Sequence, residues 1–82
     1  MRNGLKQSAN TDAVDLTRLE LIGLTLVANG LSVSEIASRL SVSEADVEQT
    51  LLESERKLGA GNRLHAITIA IQQGLIGIEV KG

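Results

Sequence analysis

The stretch Ser32–Leu58, SVSEIASRLSVSEADVEQTLLESERKL, carries the strongest structural pattern in this chain. It contains two patterns in which an acid follows a serine by three residues, Ser32 to Glu35 and Ser43 to Asp46. Such a pattern is typical of a capping box, where the hydroxyl caps the first turn of a helix and the acid reaches back to the cap. The stretch therefore predicts two helices that begin at these serines, with only a tight turn between them.

Apolar residues in this stretch recur at helical spacing. Ile36 and Leu40 mark one face of a short first helix, and Val47, Leu51 and Leu58 mark one face of a longer second helix. A short helix, a tight turn and a longer helix form a helix-turn-helix, a motif whose second helix lies in the major groove of DNA. The pattern thus favours a domain that binds duplex DNA.

Caps and glycine stops predict a helix on each side of this pair. Thr17 begins the earlier helix, with Glu20 as a further capping-box acid, and Gly30 ends it. Asn62 caps the later helix, which Gly74 ends. We predict four helices with short links and no strand, which is an all-α fold.

The domain boundaries follow from the same pattern. Residues 1–14 are polar and aperiodic, so we predict a flexible N-terminal tail. The four-helix domain occupies residues 15–76, and residues 77–82 form a C-terminal tail.

The composition excludes several kinds of site. The chain has 82 residues, enough for one small domain that buries only part of its surface and benefits from a partner. It has no Cys and one His, and it lacks Phe, Tyr and Trp, which stack on single-stranded nucleic acid. We therefore expect no enzyme activity, no cofactor and no metal. Because no long apolar run is present, we expect a cytoplasmic protein without a membrane partner.

The first helix carries two apolar stripes. Leu24 and Val27 belong to the stripe that we expect to face the core, whereas Leu19, Ile22 and Leu26 form a second stripe beside it. Two interpretations remain open. Either the helix is rolled so that it buries Ile22 and Leu26, or Leu19 and Ile22 form an exposed apolar patch that binds a protein partner.

The fourth helix is also apolar on two sides. We expect Leu64, Ile67 and Ile71 to face the core. A terminal helix with a second apolar side usually packs against something more, and a second copy of the chain is the simplest candidate. The candidate residues of this dimer interface are Ala66, Ile69, Ala70 and Gln73.

Together these elements resemble the LuxR-type (GerE/FixJ) DNA-binding domain over about residues 16–76. The matching fragments include Leu24–Ser32 (LTLVANGLS), Glu35–Ala37 (EIA) and Lys57–Gly59 (KLG). The resemblance implies a four-helix domain that dimerises, commonly through its last helix, and places its third helix in the major groove of promoter half-sites. Such domains usually follow a receiver or ligand-sensing domain, for which 82 residues leave no room. The expected form is therefore free-standing.

The chain departs from the family pattern where DNA would lie. The family usually has a basic residue at the position of Ser34, and Thr-Val-Lys where this chain has Asp46, Val47 and Glu48. Replacing a lysine with Glu48 removes a phosphate contact and adds repulsion. Residues 43–58 carry five acidic and two basic side chains, the opposite of a basic DNA-binding surface.

The outward face of the third helix nevertheless carries side chains that can recognise bases. Gln can bind adenine, Arg can bind guanine, and Ala or Leu can contact the methyl group of thymine. Lys57 and Arg63 are candidate phosphate contacts. The full set of candidate DNA-binding residues is Ala45, Glu48, Gln49, Leu52, Arg56, Lys57 and Arg63.

Two functions are compatible with these patterns. The first is a small LuxR-type transcriptional regulator that binds duplex DNA as a homodimer through its third helix. The second is a protein-interaction or dimerisation module of the same fold, which has lost strong DNA binding and modulates another regulator. Such a module could form a heterodimer with a full-length LuxR-type regulator, through the last helix and the stripe of Leu19 and Ile22.

Surface features of the folded chain distinguish these functions. An uncovered apolar surface at Leu19 and Ile22 would favour a protein partner. We also expect Glu20 and Arg63 to form a structural ion pair or cap contact. A basic patch assembled in the dimer from Arg39, Arg56, Lys57 and Arg63 would favour DNA.

Overall fold

Helices form where the caps predict them. The computed structural model describes residues 15–79, and the predicted tail over residues 1–14 lies outside them. Within the described residues no strand occurs, so the predicted all-α class is confirmed. No helix in this part of the chain is long and apolar enough to cross a membrane. The helices of the described residues are α1 (Arg18–Ala28), α2 (Val33–Leu40), α3 (Glu44–Leu58) and α4 (Arg63–Gln72).

Side-chain caps fix the start of each helix. The backbone N–H of Thr17 donates to the Glu20 carboxylate at 2.8 Å, and the N–H of Glu20 donates to the Thr17 hydroxyl at 3.1 Å. Ser32 makes the same reciprocal pair at the start of α2. Ser43 accepts from the N–H of Asp46 at 3.0 Å, but the return bond from the acid is not formed. Two of the three predicted capping boxes are therefore complete.

A left-handed residue makes the turn between α2 and α3. Ser41 ends α2 at φ 60°, the only positive φ of a non-glycine residue in the described part of the chain. The N–H of Val42 then donates to the carbonyl of Ala37 at 3.0 Å. This bond closes the end of α2 and reverses the chain within two residues, so α3 packs directly against α2.

α3 is the central helix of the core, because it packs against each of the other three. Its Val47, Leu51 and Leu58 are buried together with Leu24 of α1 and Ile36 of α2. These are the core faces that the apolar spacing predicts. Burial of this face leaves the opposite face of α3 at the surface.

α4 turns its small residues inward, contrary to the prediction. Ala66 and Ala70 are fully buried, whereas Leu64 is 74% exposed and Ile71 is 38% exposed. The prediction that Leu64 and Ile71 face the core is therefore wrong, although Ile67 does pack partly against it. Small side chains at a contact allow two helices to approach closely, and α4 uses its alanines in this way. Its apolar residues surround the whole helix, so their spacing does not select one face.

Asn29, which follows α1, holds the chain segment beyond α4. Its side-chain Nδ2 donates to the carbonyl of Gly77 at 3.2 Å, and its Oδ1 accepts from the N–H of Glu79 at 2.6 Å. The carboxamide thus bonds to the peptide groups on both sides of Ile78, as a residue of a neighbouring parallel strand does. This part of the predicted C-terminal tail lies against the end of α1.

Candidate nucleic-acid interface

α3 presents one continuous stripe of side chains to solvent. The predicted outward residues Ala45, Gln49, Leu52 and Arg56 are all exposed, opposite the buried face. They extend over about 16 Å of helix at 1.5 Å per residue. A stripe of this length allows neighbouring base edges to be contacted together. The predicted orientation of α3 is confirmed, and the contact of these residues with bases remains a prediction.

Two acids on the α4 side of this stripe bind Arg63. Its Nη2 lies 2.9 Å from Glu48 Oε1, and its Nε lies 3.0 Å from Glu55 Oε2. Burial by itself lowers the pKa of Arg63, but the hydrogen bonds with Glu48 and Glu55 outweigh this effect and the pKa is raised. Arg63 is the first residue of α4, so the two bonds tie the start of α4 to α3.

Lys57 on the α1 side of the stripe binds a buried acid. Its Nζ lies 2.9 Å from Glu20 Oε1 and donates to the carbonyl of Asp15 at 3.3 Å. The predicted pair of Glu20 with Arg63 is therefore wrong, although the predicted cap contact of Glu20 is formed. The physical reason is that α3 packs between α1 and α4 and supplies separate partners to each.

Arg56 also has an acidic partner, one turn earlier in α3. Its guanidinium forms a salt bridge with Glu53, and its Nε donates to that carboxylate at 3.0 Å. The hydrogen bond from Arg56 lowers the pKa of Glu53. The Arg56 side chain is largely exposed, and an exposed pair of this kind contributes little to stability. Arg56 can therefore exchange Glu53 for a base or a phosphate at little cost.

The predicted basic patch is largely neutralised within the chain. Arg56, Lys57 and Arg63 each bind an acid, and Arg39 makes no ion pair with any described residue. Lys57 and Arg63, the predicted phosphate contacts, are thus engaged in intramolecular pairs. Residues 15–79 contain nine acidic and five basic side chains, so each basic group near α3 readily finds an acidic partner.

Further acids lie at the N-terminal end of α3. Glu44 and Asp46 are exposed in its first turn and make no salt bridge with any described residue. A helix N-terminus carries partial positive charge and attracts phosphate groups. These carboxylates offset that charge, which lowers the phosphate affinity of the end of α3 that the family pattern directs to DNA.

The candidate protein-partner patch is only partly at the surface. Leu19 is 42% exposed, whereas Ile22 is partly buried. Leu19 borders a shallow groove between α1 and α3 that Val42, Gln49 and Thr50 also line. Both interpretations of the second stripe thus hold in part, because Leu26 packs against the core whereas Leu19 stays exposed.

The predicted dimer residues do not share one exposed surface. Ala66 and Ala70 are covered by their own chain, because α4 packs its alanines against the core. Of the other two, Ile69 is partly buried and Gln73 is exposed. Sequence reasoning missed the exposed stripe on the opposite side of α4, although the spacing of its residues, three and four apart, was a signal for it. That stripe consists of Leu64, Thr68 and Ile71.

The order of helices, the turn at Ser41 and the exposed face of α3 define a helix-turn-helix domain. Residues 14–70 match the family described as "Bacterial regulatory proteins, luxR family" (GerE). The chain belongs to this family, as the resemblance predicts.

Three curated relatives have similar sequences. The chain is 44% identical over 64 residues to the transcriptional regulatory protein YdfI of Bacillus subtilis (strain 168). This matched region covers 78% of this chain and 30% of that protein. It is 42% identical over 59 residues to the response regulator RamR of Streptomyces coelicolor, covering 72% of this chain and 29% of that protein. It is 36% identical over 61 residues to the transcriptional activator protein BjaR1 of Bradyrhizobium diazoefficiens, covering 74% and 25%. The chain thus spans less than a third of the length of these relatives.

Proposed function

We propose that this domain binds duplex DNA as a dimer, with α3 in the major groove, and so acts in transcription regulation. The observation that carries the proposal is the exposed stripe of Ala45, Gln49, Leu52 and Arg56 on the second helix of a helix-turn-helix. The family is one of bacterial regulatory proteins, and the relatives are named as transcriptional regulators. Gln49 and Arg56 are the side chains best suited to hydrogen-bond adenine and guanine.

In the proposed complex, contacts between cationic side chains and DNA phosphates contribute little to the affinity. Cations that already hold acids gain less from a phosphate than free cations do, and Lys57 and Arg63 are both held. Each phosphate neutralised contributes about −0.9 to the slope of log K against log salt. If Arg39 is the phosphate contact of each protomer, a dimer has a slope of about −1.8. Specific contacts and dimerisation then supply much of the affinity.

The dimer is proposed to form through the exposed stripe of α4. Leu64 and Ile71 are large apolar side chains that the chain itself leaves uncovered, and Thr68 lies between them. Burying such side chains removes apolar surface from water, which favours association. A dimer also doubles the contacts with DNA, which offsets the weak phosphate contacts of each domain.

The experiment that tests the proposal is a titration of labelled duplex DNA with the full chain. Random and promoter-derived duplexes are compared at low and near-physiological salt. The label is on the DNA because the protein has no Tyr or Trp. We expect binding that weakens with salt and favours some sequences. Folding is checked by circular dichroism, and a folded protein that binds no duplex at low salt would disprove the proposal.

A second candidate function rests on the exposed Leu19 and the acidic end of α3. In this alternative the fold serves as a protein-interaction module and modulates another regulator, for instance as a heterodimer with a full-length LuxR-type protein. Leu19 supplies apolar area, and Glu44 and Asp46 repel DNA. The same titration separates the two functions, because the module would remain folded and leave DNA unbound at every salt concentration.

A further inference from the structure

We infer that Glu48 limits the DNA affinity of this domain by holding Arg63 in an ion pair that a phosphate must displace. The inference rests on the proposed DNA binding and adds a regulating contact to it. We call the contact of Glu48 and Glu55 with Arg63 the Arg63 latch. Its two bonds are 2.9 Å from Nη2 to Glu48 and 3.0 Å from Nε to Glu55.

The two halves of the latch differ in exposure. The Glu48 side chain is 49% exposed, and that of Glu55 is 15% exposed. An exposed ion pair is weak and is screened by salt, whereas a less exposed one is harder to break. A competing phosphate therefore displaces Glu48 first. Glu55 continues to hold Arg63 through Nε, so the guanidinium remains beside α3 with its Nη2 donors free.

The position of Glu48 places this exchange at the proposed interface. Glu48 lies three residues from Ala45 and four from Leu52, so it is adjacent to both on the surface of α3. A phosphate next to bases contacted by that stripe approaches Glu48 directly. Guanidinium has five N–H donors in a geometry that suits phosphate. Arg63 is therefore the cation best placed to bind that phosphate once Glu48 is removed.

Glu48 weakens binding in two ways that can be measured separately. Its charge repels phosphate, as any carboxylate at this end of α3 does, and its bond withholds Arg63. Glu44 provides a matched control for the first effect, because it lies one turn earlier and makes no salt bridge with any described residue. Only the second effect requires Arg63.

The test compares Glu48→Gln, Glu44→Gln, Arg63→Gln and the double variant Glu48→Gln/Arg63→Gln in the DNA titration. Releasing one cation to one phosphate raises affinity about eightfold at 0.1 M salt and steepens the salt slope by about 0.9. Because a dimer releases two cations, its affinity rises about 60-fold and its slope steepens by about 1.8. We expect this gain for Glu48→Gln and a clearly smaller one for Glu44→Gln. In the Arg63→Gln background, the gain from Glu48→Gln should fall to that of Glu44→Gln.

The outcomes separate the latch from the proposed function. Equal gains from Glu48→Gln and Glu44→Gln, or a full gain that persists without Arg63, would overturn the latch while the wild type still binds DNA. Absence of binding in the wild type and in every folded variant would overturn both. If Arg63→Gln does not fold, Glu55→Gln replaces it. That variant leaves Glu48 on Arg63, so a gain equal to that of Glu48→Gln would also overturn the latch.

Discussion

Gly23 leaves unused space between α1 and α3. A Cβ at this position would lie 3.5 Å from Leu51 Cδ2 and 3.9 Å from Thr50 Cγ2, which are ordinary contact distances. The residue lies inside α1, and on folding into a helix alanine loses less conformational entropy than glycine does. We expect Gly23→Ala to raise the free energy of unfolding by about 0.5–1 kcal/mol, measured by urea denaturation followed by circular dichroism.

The matched control for this substitution is Gly59→Ala. Gly59 ends α3 at φ 68°, where any side chain is strained even though nothing lies within 4 Å of the added Cβ. A left-handed conformation costs an L-residue about 1–2 kcal/mol, so this variant should be less stable than the wild type. If Gly23→Ala lowers the free energy of unfolding, contrary to the expected gain, then α1 and α3 cannot accommodate a methyl group between them.

For single residues, the sequence predicts contacts between residues that are close along the chain, but it does not predict contacts between residues that are far apart along it. The partners at Thr17 and Ser32 lie three residues away, so backbone geometry alone determines them. Glu20 and Lys57 are 37 residues apart, and their pairing depends on how α1 docks on α3. The partners of Arg63 likewise could not be predicted before the helices were placed.

The start of α2, the shortest of the described helices, depends on an ionised carboxylate. The Glu35 side chain accepts the backbone N–H of Ser32 at 2.8 Å. This backbone hydrogen bond is the largest cause that lowers the pKa of Glu35 below its ordinary value of 4.5, and the interaction with the Ser32 side chain is the second largest. A carboxylate whose pKa is lower in the folded state stabilises that state fully above its unfolded pKa. The stabilisation is lost as the pH falls from 4.5 through the folded pKa.

Glu35→Gln tests this pH dependence, because glutamine retains a capping side chain without the charge. We expect the stability advantage of the wild type over Glu35→Gln to be constant above about pH 5 and to shrink on further acidification. Urea unfolding across this pH range measures it. The control is Ser32→Ala, which loses the hydroxyl cap but retains the backbone donor and therefore most of the pH dependence. Parallel pH profiles for the wild type and Glu35→Gln would contradict the prediction.

For whole helices, the caps define where each helix begins, whereas packing determines which of its faces is buried. α3 could be oriented from its sequence because polar and charged residues fill most positions other than those of Val47, Leu51 and Leu58. α4 lacks such a polar side, and the closest approach to α3 selected its alanines. Large apolar residues consequently remain outside, at Leu64 and Ile71.

The whole molecule combines a shape suited to DNA with charges that oppose it. Within residues 15–79, α3 contacts each of the other helices and exposes a full stripe of side chains. Its flanking cations are nevertheless bound to acids of the same chain, through Lys57 to Glu20 and through Arg63 to Glu48 and Glu55. The fold and the orientation of α3 could be predicted from local patterns. The neutralised surface could not, because it arises only when separate helices come together.

In the proposed complex with DNA, weak binding by each domain would make dimerisation decisive for the affinity of the whole assembly. We expect Leu64→Glu/Ile71→Glu to raise the dimer dissociation constant at least about tenfold, because each substitution places a charge in the proposed apolar contact. Sedimentation velocity over a range of protein concentrations measures the change. Both side chains are exposed in the single chain, so the thermal unfolding of the monomer should change little.

Leu52→Glu provides the control for this prediction. Leu52 is also an exposed large apolar residue, but it lies on the stripe of α3 that we propose to face DNA. Leu52→Glu should weaken DNA binding and leave the dimer dissociation constant unchanged. The α4 variant should weaken both dimerisation and DNA binding, because a monomer loses the contacts that its partner makes with DNA. A dimer that withstands Leu64→Glu/Ile71→Glu, or one that Leu52→Glu dissociates, would mean that the two copies meet through a surface other than the exposed stripe of α4.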